Sequence, residues 1–331
     1  MSLTSVSPVS VVIPTYNSSR FIQATLESVF AQRLPPREII VVDDASLDDT
    51  AEKVESTARS APIPIRLIHE SENYGSPSRP LNVGITLAQG RFISTLDHDD
   101  KMLPCKIQRE VECLSRYDNL GLVFGRIAQD QHENGPLGKR LKSKIRLKYL
   151  VLEKPTYQLP SREAYNGLVH GNYTFTCSNI TFPKKVWQEC GGFDENLTSA
   201  CDYGFIQRVA RHYDLGFIDE ALIHWHHCGD SLYKQSRQLV RCLDLIRIYS
   251  QFTTSELRPE TRRLLAKLLC DEYLSAGYYL REEGNYGGSL KHYICSIQRG
   301  KWNWQAIFGL AKLIPHRVMR SGQRASTNPT E

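Results

Sequence analysis

Three carboxylates follow a strongly apolar stretch in the first third of the chain. The stretch RFISTL (residues 91–96) is rich in β-branched, aromatic and apolar residues, which predicts a buried strand. Asp97, Asp99 and Asp100 come directly after it. Ligands of open α/β sheets bind beyond the carboxyl ends of the strands, and carboxylates clustered there repel unless they share a cation such as Mg²⁺ or Mn²⁺. The alternative is a solvated turn in which Asp97 or Asp100 caps the next helix.

A second apolar stretch ends in the same way. Residues 38–42 (EIIVV) predict a strand, and Asp43 and Asp44 follow it. Two strands that end in acidic pairs direct carboxylates to one crevice, which makes a nucleotide site plausible. The sequence contains neither a G-x-G-x-x-G nor a Walker motif. A metal ion would therefore have to neutralise the phosphates.

The elements that must position these acids alternate along the first 105 residues. Strands are predicted over residues 9–13, 38–42, 65–68 and 91–96. Helices are predicted to follow the first three strands, one after Ser18 or Ser19, one over 47–59 and one over 80–89. We expect Pro14 to end the first strand, a capping box at Ser46 to start the second helix and Gly90 to close the third. This alternation predicts an α/β fold with a mostly parallel, doubly wound sheet.

Composition restricts the class of protein. The 331 residues are 41% hydrophobic and 23% charged, with a net charge of +5 that gives no case for a nucleic-acid partner. Nine cysteines, an odd number without a C-x-x-C pair, predict reduced thiols in a cytoplasmic protein. Residues 1–8 lack the features of a signal peptide, and no apolar run approaches the ~20 residues that span a bilayer. We expect a soluble or peripheral protein.

Four stretches together resemble a known family. VSVVIPTYN (9–17), EIIVVDDASLDDT (38–50), NYGSPSRPLNVGITLAQG (73–90) and LDHDD (96–100) are similar in order and spacing to successive motifs of family 2 glycosyltransferases, which have the GT-A fold. The resemblance covers roughly the first 105 residues. It continues more weakly through CGGFDENLTSACD (190–202) and HCGDS (227–231).

The resemblance implies a site for a nucleotide-sugar donor. The residues that it assigns to this site are Pro14, Thr15, Tyr16, Asp44, Arg79, Asn82, Asp97 and His98. Tyr16 would pack on the base, Asp44 would accept a hydrogen bond from it, and Asp97 would contact the ribose or the outer shell of a metal. The family often has Arg directly before the helix Asn, where this chain has Leu81, so Arg79 would have to take over.

The same resemblance implies a metal and a catalytic base. Asp99 and His227 would bind Mn²⁺ or Mg²⁺, and Asp202 would be the base, although Cys201 stands where the family usually has Glu. Asp202 could instead be only the cap of a helix over 203–212. His226 could equally take the role of His227.

A zinc site is a further alternative at this histidine cluster. His224 and His226 would share one face of a strand, but further Cys or His at the usual ligand spacing are missing except for Cys228.

These expectations define a metal-dependent, inverting glycosyltransferase. It would move a sugar from a nucleotide-diphosphate-sugar, with a UDP-sugar favoured, to a glycan or lipid-linked acceptor in cell-surface polysaccharide synthesis. One alternative is a glycan-binding or scaffolding relative with a decayed site, for which Cys201 and Leu81 are the hints. A sugar-nucleotide nucleotidyltransferase is the other, but PTYN (14–17) is not the Gly-rich basic loop that it needs.

The rest of the chain divides by composition. We expect a nucleotide-sugar half over 1–117, an acceptor-binding and catalytic half over 118–235, a helical extension over 236–320 and a disordered tail over 321–331. Residues 134–148 are polar and basic, which is typical of either a lid or a solvated loop. Residues 301–320 combine two Trp, an apolar stripe and basic flanks, so this helix would either lie on the inner face of a membrane or dock on the protein itself.

Overall fold

The structure is a computed structural model that describes residues 7–128, 150–151, 155–226, 238–300 and 304–313. The chain divides into two compact units, one through Gly229 and one from Asp230. The basic segment 134–148, His227 and the tail 321–331 lie outside the described residues.

The first unit begins with the alternation that the sequence predicts. Its first elements are β1 (Val9–Thr15), α1 (Ile22–Phe30), β2 (Glu38–Asp43), α2 (Thr50–Ala58), β3 (Ile65–His69), α3 (Ser78–Leu87) and β4 (Phe92–Thr95). The later elements are β5 (Lys101–Met102), α4 (Lys106–Arg116), β6 (Leu120–Ala128), β7 (Leu150–Val151), β8 (Thr156–Leu159), α5 (Ser161–Leu168), a 3₁₀ turn (Cys177–Asn179), β9 (Thr181–Pro183), α6 (Lys184–Glu189), α7 (Cys201–His212) and β10 (Asp214–His224).

The described strands of this unit form one mixed sheet. Its order is β3-β2-β1-β4-β9-β6-β10-β8-β7, with β5 paired to β10. The first four strands are parallel, as predicted. β9 then runs antiparallel to both β4 and β6, and β10 runs parallel to β6. All residues of β1 are buried, which explains why VSVVIPT lacks the alternation of a half-exposed strand.

Pro14 does not end the first strand, so that prediction is wrong. β1 continues to Thr15, and Pro14 lies in register with Val42 of β2. On one side of β1 the Thr15 carbonyl accepts a hydrogen bond from the Asp44 N–H, directly after β2. On the other side the Val12 carbonyl accepts from the Leu96 N–H, directly after β4. Because backbone groups alternate sides along a strand, the N–H that Pro14 lacks falls on the β4 side, just beyond the end of that strand. The ladder therefore loses no hydrogen bond.

Two predicted helix boundaries are also wrong. Ser46 does not begin a capping box, because its hydroxyl donates to Asp43 and the helix starts only at Thr50. Gly90 does not close α3, which ends with Ala88 as its C-cap residue in an extended conformation. Gly90 is required for a different reason: a Cβ there would lie 2.5 Å from the Ser10 nitrogen. The chain needs glycine to pass this close to β1.

A fully buried ion pair in α4 connects this helix to the inner strands β4 and β9. Lys106 Nζ lies 2.7 Å from Glu110 Oε2, and both side chains have zero exposure. Lys106 also donates to Ser94 of β4 at 3.1 Å, and Thr181 of β9 donates to Glu110 at 2.7 Å. Burial lowers the pKa of Lys106 and raises that of Glu110, and their mutual attraction opposes both effects.

The second unit is helical in its described part. It contains α8 (Gln238–Gln251), α9 (Pro259–Glu282), α10 (Tyr286–Arg299) and α11 (Trp304–Ala311). Asn285 caps α10 by accepting a hydrogen bond from the Gly288 N–H at 2.9 Å. Tyr293 of α10 is buried against Gly277 of α9 and Gly309 of α11, where a Cβ would lie 2.7 and 2.4 Å from its ring. No helix in the described ranges is both long and apolar enough to cross a membrane.

Removing one partner of the buried pair should destabilise the first unit strongly. Lys106→Met leaves the Glu110 carboxylate buried without its cation, so we expect a loss of about 3–5 kcal/mol in the free energy of unfolding, measured with urea. The double variant Lys106→Met/Glu110→Leu should recover most of that loss.

The matched control is Lys185→Met. Lys185 forms an exposed pair with Glu189 at the same helical spacing, at 3.5 Å. Its loss should change stability by less than about 0.5 kcal/mol. Equal effects of Lys106→Met and Lys185→Met would contradict the role of the buried pair.

Candidate active site

The predicted acidic cluster lies at the carboxyl end of β4 and is held by hydroxyl groups. Asp97 is half-buried, and Asp100 is 1% exposed. Asp97 Oδ2 accepts from the Thr176 hydroxyl at 2.6 Å, and Asp100 Oδ2 accepts from the Ser178 hydroxyl at 2.5 Å. The Ser178 oxygen also accepts from the Asp97 N–H at 2.9 Å. Neutral donors next to the 3₁₀ turn therefore fix these acids in place.

The carboxylates of the cluster repel one another. Burial raises the pKa of both Asp97 and Asp100, and the charge of Asp99 raises each of them further. His98 opposes this effect at Asp97 by favouring its ionised form. Charges that are partly buried and mutually repulsive make this edge of the sheet a place where a cation is stabilised.

The donor set of the cluster suits a hard divalent cation. Carboxylate oxygens are the ligands that Mg²⁺ and Mn²⁺ prefer. Both oxygens of Asp100 already have protein donors, since Oδ1 accepts from the His226 N–H at 2.9 Å. Within the described residues, no three His, Cys, Asp or Glu side chains are grouped so that they could hold a metal by themselves.

Asp202 lies in the first turn of α7 with a raised pKa. It is buried, and its Oδ2 accepts from the Asn172 amide at 2.6 Å. Burial raises the pKa of Asp202 to about 6, with a smaller contribution from the charge of Asp97. The Asn172 bond and the backbone N–H of Tyr203 oppose the rise. The charge of Asp97 therefore reaches Asp202.

Asn172 is itself held in one orientation. Its Oδ1 accepts from both the N–H and the hydroxyl of Thr174, at 3.0 and 3.1 Å. With the oxygen fixed in this way, the amide NH₂ must face Asp202. Asn172 is therefore built to hydrogen-bond a carboxylate.

Cys201 fills a buried position next to Asp202. Its Sγ lies 3.8 Å from Cys177 Sγ, and both residues are buried. This contact, together with burial, raises the pKa of Cys177 well above its usual value. The described cysteines are all free. The raised pKa keeps the Cys177 thiol protonated and therefore unreactive at neutral pH.

The predicted base-binding residues meet at the ends of β1 and β2. The Asp44 N–H donates to the Thr15 carbonyl at 2.8 Å, which places Asp44 beside Pro14, Thr15 and Tyr16. The Asp44 carboxylate accepts from the Tyr74 N–H at 3.1 and 3.2 Å. Burial raises the pKa of Asp44, and these backbone donors oppose it. Asp44 therefore also holds the turn before α3 next to the ends of β1 and β2.

Arg79 and Asn82 contact the loop that precedes α7. Asn82 donates to the Phe193 carbonyl at 2.9 Å and to Glu195 at 3.0 Å, and it accepts from the Phe193 N–H at 2.9 Å. Arg79 stacks over the Tyr74 ring at 4.1 Å and lies 3.9 Å from Glu195. Their predicted contacts with the donor stay predictions. In this structure both side chains connect α3 to residues 193–195.

The end of β10 reaches the acidic cluster through its backbone. The His226 N–H on Asp100 brings this strand end to the cluster, and the His226 ring packs on Phe21 with centroids 5.3 Å apart. His227, the predicted metal ligand, lies outside the described residues. Its assignment therefore stays a prediction.

Sequence reasoning missed the residues that hold the acids. Asn172, Thr176 and Ser178 are spread over the stretch NYTFTCSN (172–179). Their only signal is the density of short polar side chains between two predicted elements. Such stretches usually form loops, so the pattern alone does not indicate contacts with distant acids. The separations are 79 residues for Thr176 and Asp97, 78 for Ser178 and Asp100, and 30 for Asn172 and Asp202.

Comparison with known proteins places the chain in a family. The model for glycosyl transferase family 2 matches residues 10–178, about half of the chain. An uncharacterised glycosyltransferase of Rickettsia felis is 32% identical over 222 residues, which are 65% of this chain and 33% of that protein. The chain thus spans about a third of the length of the first of these relatives. The poly(ribitol-phosphate) β-N-acetylglucosaminyltransferase TarS of Staphylococcus aureus is 37% identical over 93 residues, 28% of this chain and 16% of that one.

Solved structures show the same fold. TarS residues 1–349 in complex with UDP-GlcNAc superpose with a TM-score of 0.65 at 17% identity, covering 95% of this chain and 92% of that one. The mannosyltransferase PcManGT of Pyrobaculum calidifontis, in complex with GDP-Man and Mn²⁺, gives a TM-score of 0.58 at 17% identity, over 97% and 86% of the two chains. The GT-A fold is therefore confirmed, and the chain belongs to glycosyl transferase family 2.

Proposed function

We propose that this protein is an inverting, metal-dependent glycosyltransferase that moves a sugar from a nucleotide-diphosphate-sugar to a hydroxyl of a glycan or lipid-linked acceptor. The observation that carries the proposal is the pair of differently placed carboxyl groups. Asp202, in the first turn of α7, has a pKa of about 6 and is affected by the charge of Asp97, which belongs to the acidic cluster after β4. Family membership supports the same chemistry.

The acceptor hydroxyl must lose a proton as it attacks the sugar. A carboxylate with a pKa near 6 is ionised at neutral pH and still basic enough to take that proton, so Asp202 is the proposed general base. Asn172 holds the carboxylate in one orientation. A single base on the face opposite the leaving group gives inversion at the anomeric carbon.

The donor occupies the carboxyl edge of β1, β2 and β4 in this proposal. Tyr16 and Asp44 contact the base, and Asp97 and His98 face the ribose and diphosphate. Asp99, with His227, would hold Mn²⁺ or Mg²⁺, which would neutralise the charge that develops on the departing nucleoside diphosphate. The Mn²⁺ and GDP-Man in PcManGT and the UDP-GlcNAc in TarS support such a donor site.

A UDP-sugar is the proposed donor, and cell-surface polysaccharide synthesis is the proposed role. The UDP-GlcNAc complex of TarS supports the first, and the poly(ribitol-phosphate) acceptor in that protein's name supports the second. A cytoplasmic protein that meets its acceptor at the inner face of the membrane fits both.

Donor binding should depend on Asp99. For the wild type we expect Mn²⁺ together with one UDP-sugar to raise the melting temperature, since a ligand at a hundredfold excess over its Kd adds about 2.7 kcal/mol. Asp99→Ala should lose this effect, and Asp118→Ala, which removes an exposed acid before β6, should keep it. An unchanged increase in Asp99→Ala would contradict the metal assignment. No increase with any donor would favour the decayed-site alternative.

Asp202→Asn should abolish transfer. Removal of a general base lowers turnover by about 10²–10⁴-fold, and a fall of less than about tenfold would count against the role of Asp202.

The same variant should be more stable than the wild type at neutral pH. Asp202 has a folded-state pKa of about 6 against an ordinary value of 3.8. The protonated side chain therefore stabilises the fold fully below pH 3.8, and this contribution is lost as the pH rises through 6.

Asparagine stays neutral throughout this range. At pH 7.5 the variant should therefore gain about 3 kcal/mol in the free energy of unfolding, and the gain should disappear toward pH 4. Urea denaturation at both pH values measures this. A variant that is equally stable or less stable at pH 7.5 would contradict the raised pKa.

Asn172→Ala should move the pH profile of transfer. Without the Asn172 amide, the ionised form of Asp202 loses a donor, so its pKa should rise above 6 and the acidic limb of kcat/KM should move to higher pH. Activity should be largely recovered at pH 9. The control is Asn166→Ala, which removes a buried amide that donates to the Arg162 carbonyl of its own helix at 2.8 Å. A lower kcat/KM with an unmoved profile would leave Asn172 with a purely structural role.

A further inference from the structure

The last described helix turns its aromatic side chains outward. Trp304 and Phe308 of α11 are 61% and 65% exposed, whereas Ala306 and Gly309 are buried. The buried face is fixed by close packing, because a Cβ at Gly309 would lie 2.4 Å from the Tyr293 ring. The small residues therefore attach α11 to α10. The helix thus docks on the protein through its small residues, and Trp304 and Phe308 stay more than half exposed.

The exposed pair forms one apolar stripe with a cationic end. Trp304 and Phe308 are four residues apart and so share one face of the helix. Lys312, which is exposed, continues the same spacing one turn further on. An exposed Trp and Phe next to a Lys is the arrangement of helices that lie in the plane of a lipid interface.

The surrounding sequence has an unusual charge balance. Residues 284–330 contain no Asp or Glu but seven Lys or Arg, although the whole chain has a net charge of only +5. Those seven are Lys291, Arg299, Lys301, Lys312, Arg317, Arg320 and Arg324. A stretch of one sign repels a second copy of itself and attracts an anionic surface. This positive charge therefore favours an anionic surface over a second copy of the chain as the partner that covers Trp304 and Phe308.

We propose that α11 binds the surface of an anionic lipid bilayer through Trp304, Phe308 and Lys312. The aromatic rings enter the headgroup region, and the Lys312 ammonium group contacts lipid phosphates. Because none of the described helices can span a bilayer, the contact is peripheral. This inference deepens the proposed function, which places the protein at the inner face of a membrane, and it is tested by binding alone.

The test uses the full chain and vesicles of defined composition. Co-sedimentation with phosphatidylcholine vesicles is compared with vesicles that contain one quarter phosphatidylglycerol, without donor or acceptor. We expect binding to the anionic vesicles that weakens when NaCl is raised from about 50 to about 500 mM. Trp304→Ser/Phe308→Ser should weaken binding at least about tenfold, and Lys312→Glu should weaken it and reduce its salt dependence.

A matched variant separates the stripe from general hydrophobicity. Leu243→Ser removes an apolar side chain of α8 that is also exposed and should leave vesicle binding unchanged. Melting temperatures of all variants should stay close to that of the wild type, because Lys312 is exposed and each of the other altered side chains is at least 40% exposed. Donor binding in the thermal assay should also be unchanged, so vesicle binding and the transferase proposal can fail separately.

Three results would overturn the proposal. One is equal wild-type binding to neutral and anionic vesicles, or no binding to either. The second is unchanged binding by Trp304→Ser/Phe308→Ser. The third is a wild-type dimer in analytical ultracentrifugation that the double variant converts to a monomer, because a second copy would then cover the stripe.

Discussion

Repulsion among the carboxylates at the end of β4 is the constraint around which the first unit is built. Asp97 and Asp100 lie on either side of Asp99 in the sequence. Asp97 accepts a hydrogen bond from a hydroxyl group, and Asp100 accepts one from a hydroxyl group and one from a backbone N–H. Neutral donors fix the positions of the acids without cancelling their charge. The segment 172–179 thus positions the acids and leaves their negative charge in place. The raised pKa of Asp202 has the same origin, since burial and the charge of Asp97 act together.

Behind the site the protein uses the opposite arrangement. Lys106 and Glu110 cancel each other within a shell that includes Ser94 and Thr181, so the helix after the acidic cluster is bound to β4 and β9 without adding net charge. The acids at the carboxyl edge of the sheet are thus held by neutral donors, whereas the charges of Lys106 and Glu110 pair with each other. This separation explains how an acidic site is accommodated on a core whose strands are almost wholly apolar.

The sequence was sufficient for the parallel half of the fold and for the acids, because both depend on local pattern. Apolar runs predict β1 to β4, and the carboxylates follow two of these runs directly. The residues that hold the acids could not be found in this way, since Asn172, Thr176 and Ser178 act across separations that only the fold closes. Lys106 and Glu110 have the i,i+4 spacing of an ordinary surface pair, and only the tertiary structure shows that they are buried. Ser46 was misassigned because its hydroxyl donates to Asp43, three residues earlier, and Gly90 because its close approach to β1 requires glycine where the pattern indicated a helix cap.

The position of β9 has a consequence for the order in which the chain can fold. Thr181 bonds to Ser94 across a separation of 87 residues, and β9 fills the gap between β4 and β6. A ribosome that adds about 5–20 residues per second takes roughly 5 to 20 seconds to make that intervening length. During this time the first four strands can pair, but one side of β4 has no partner. Nascent chains of this protein therefore present an apolar strand edge next to a row of acids, and that edge is where a chaperone or a neighbouring nascent chain would bind.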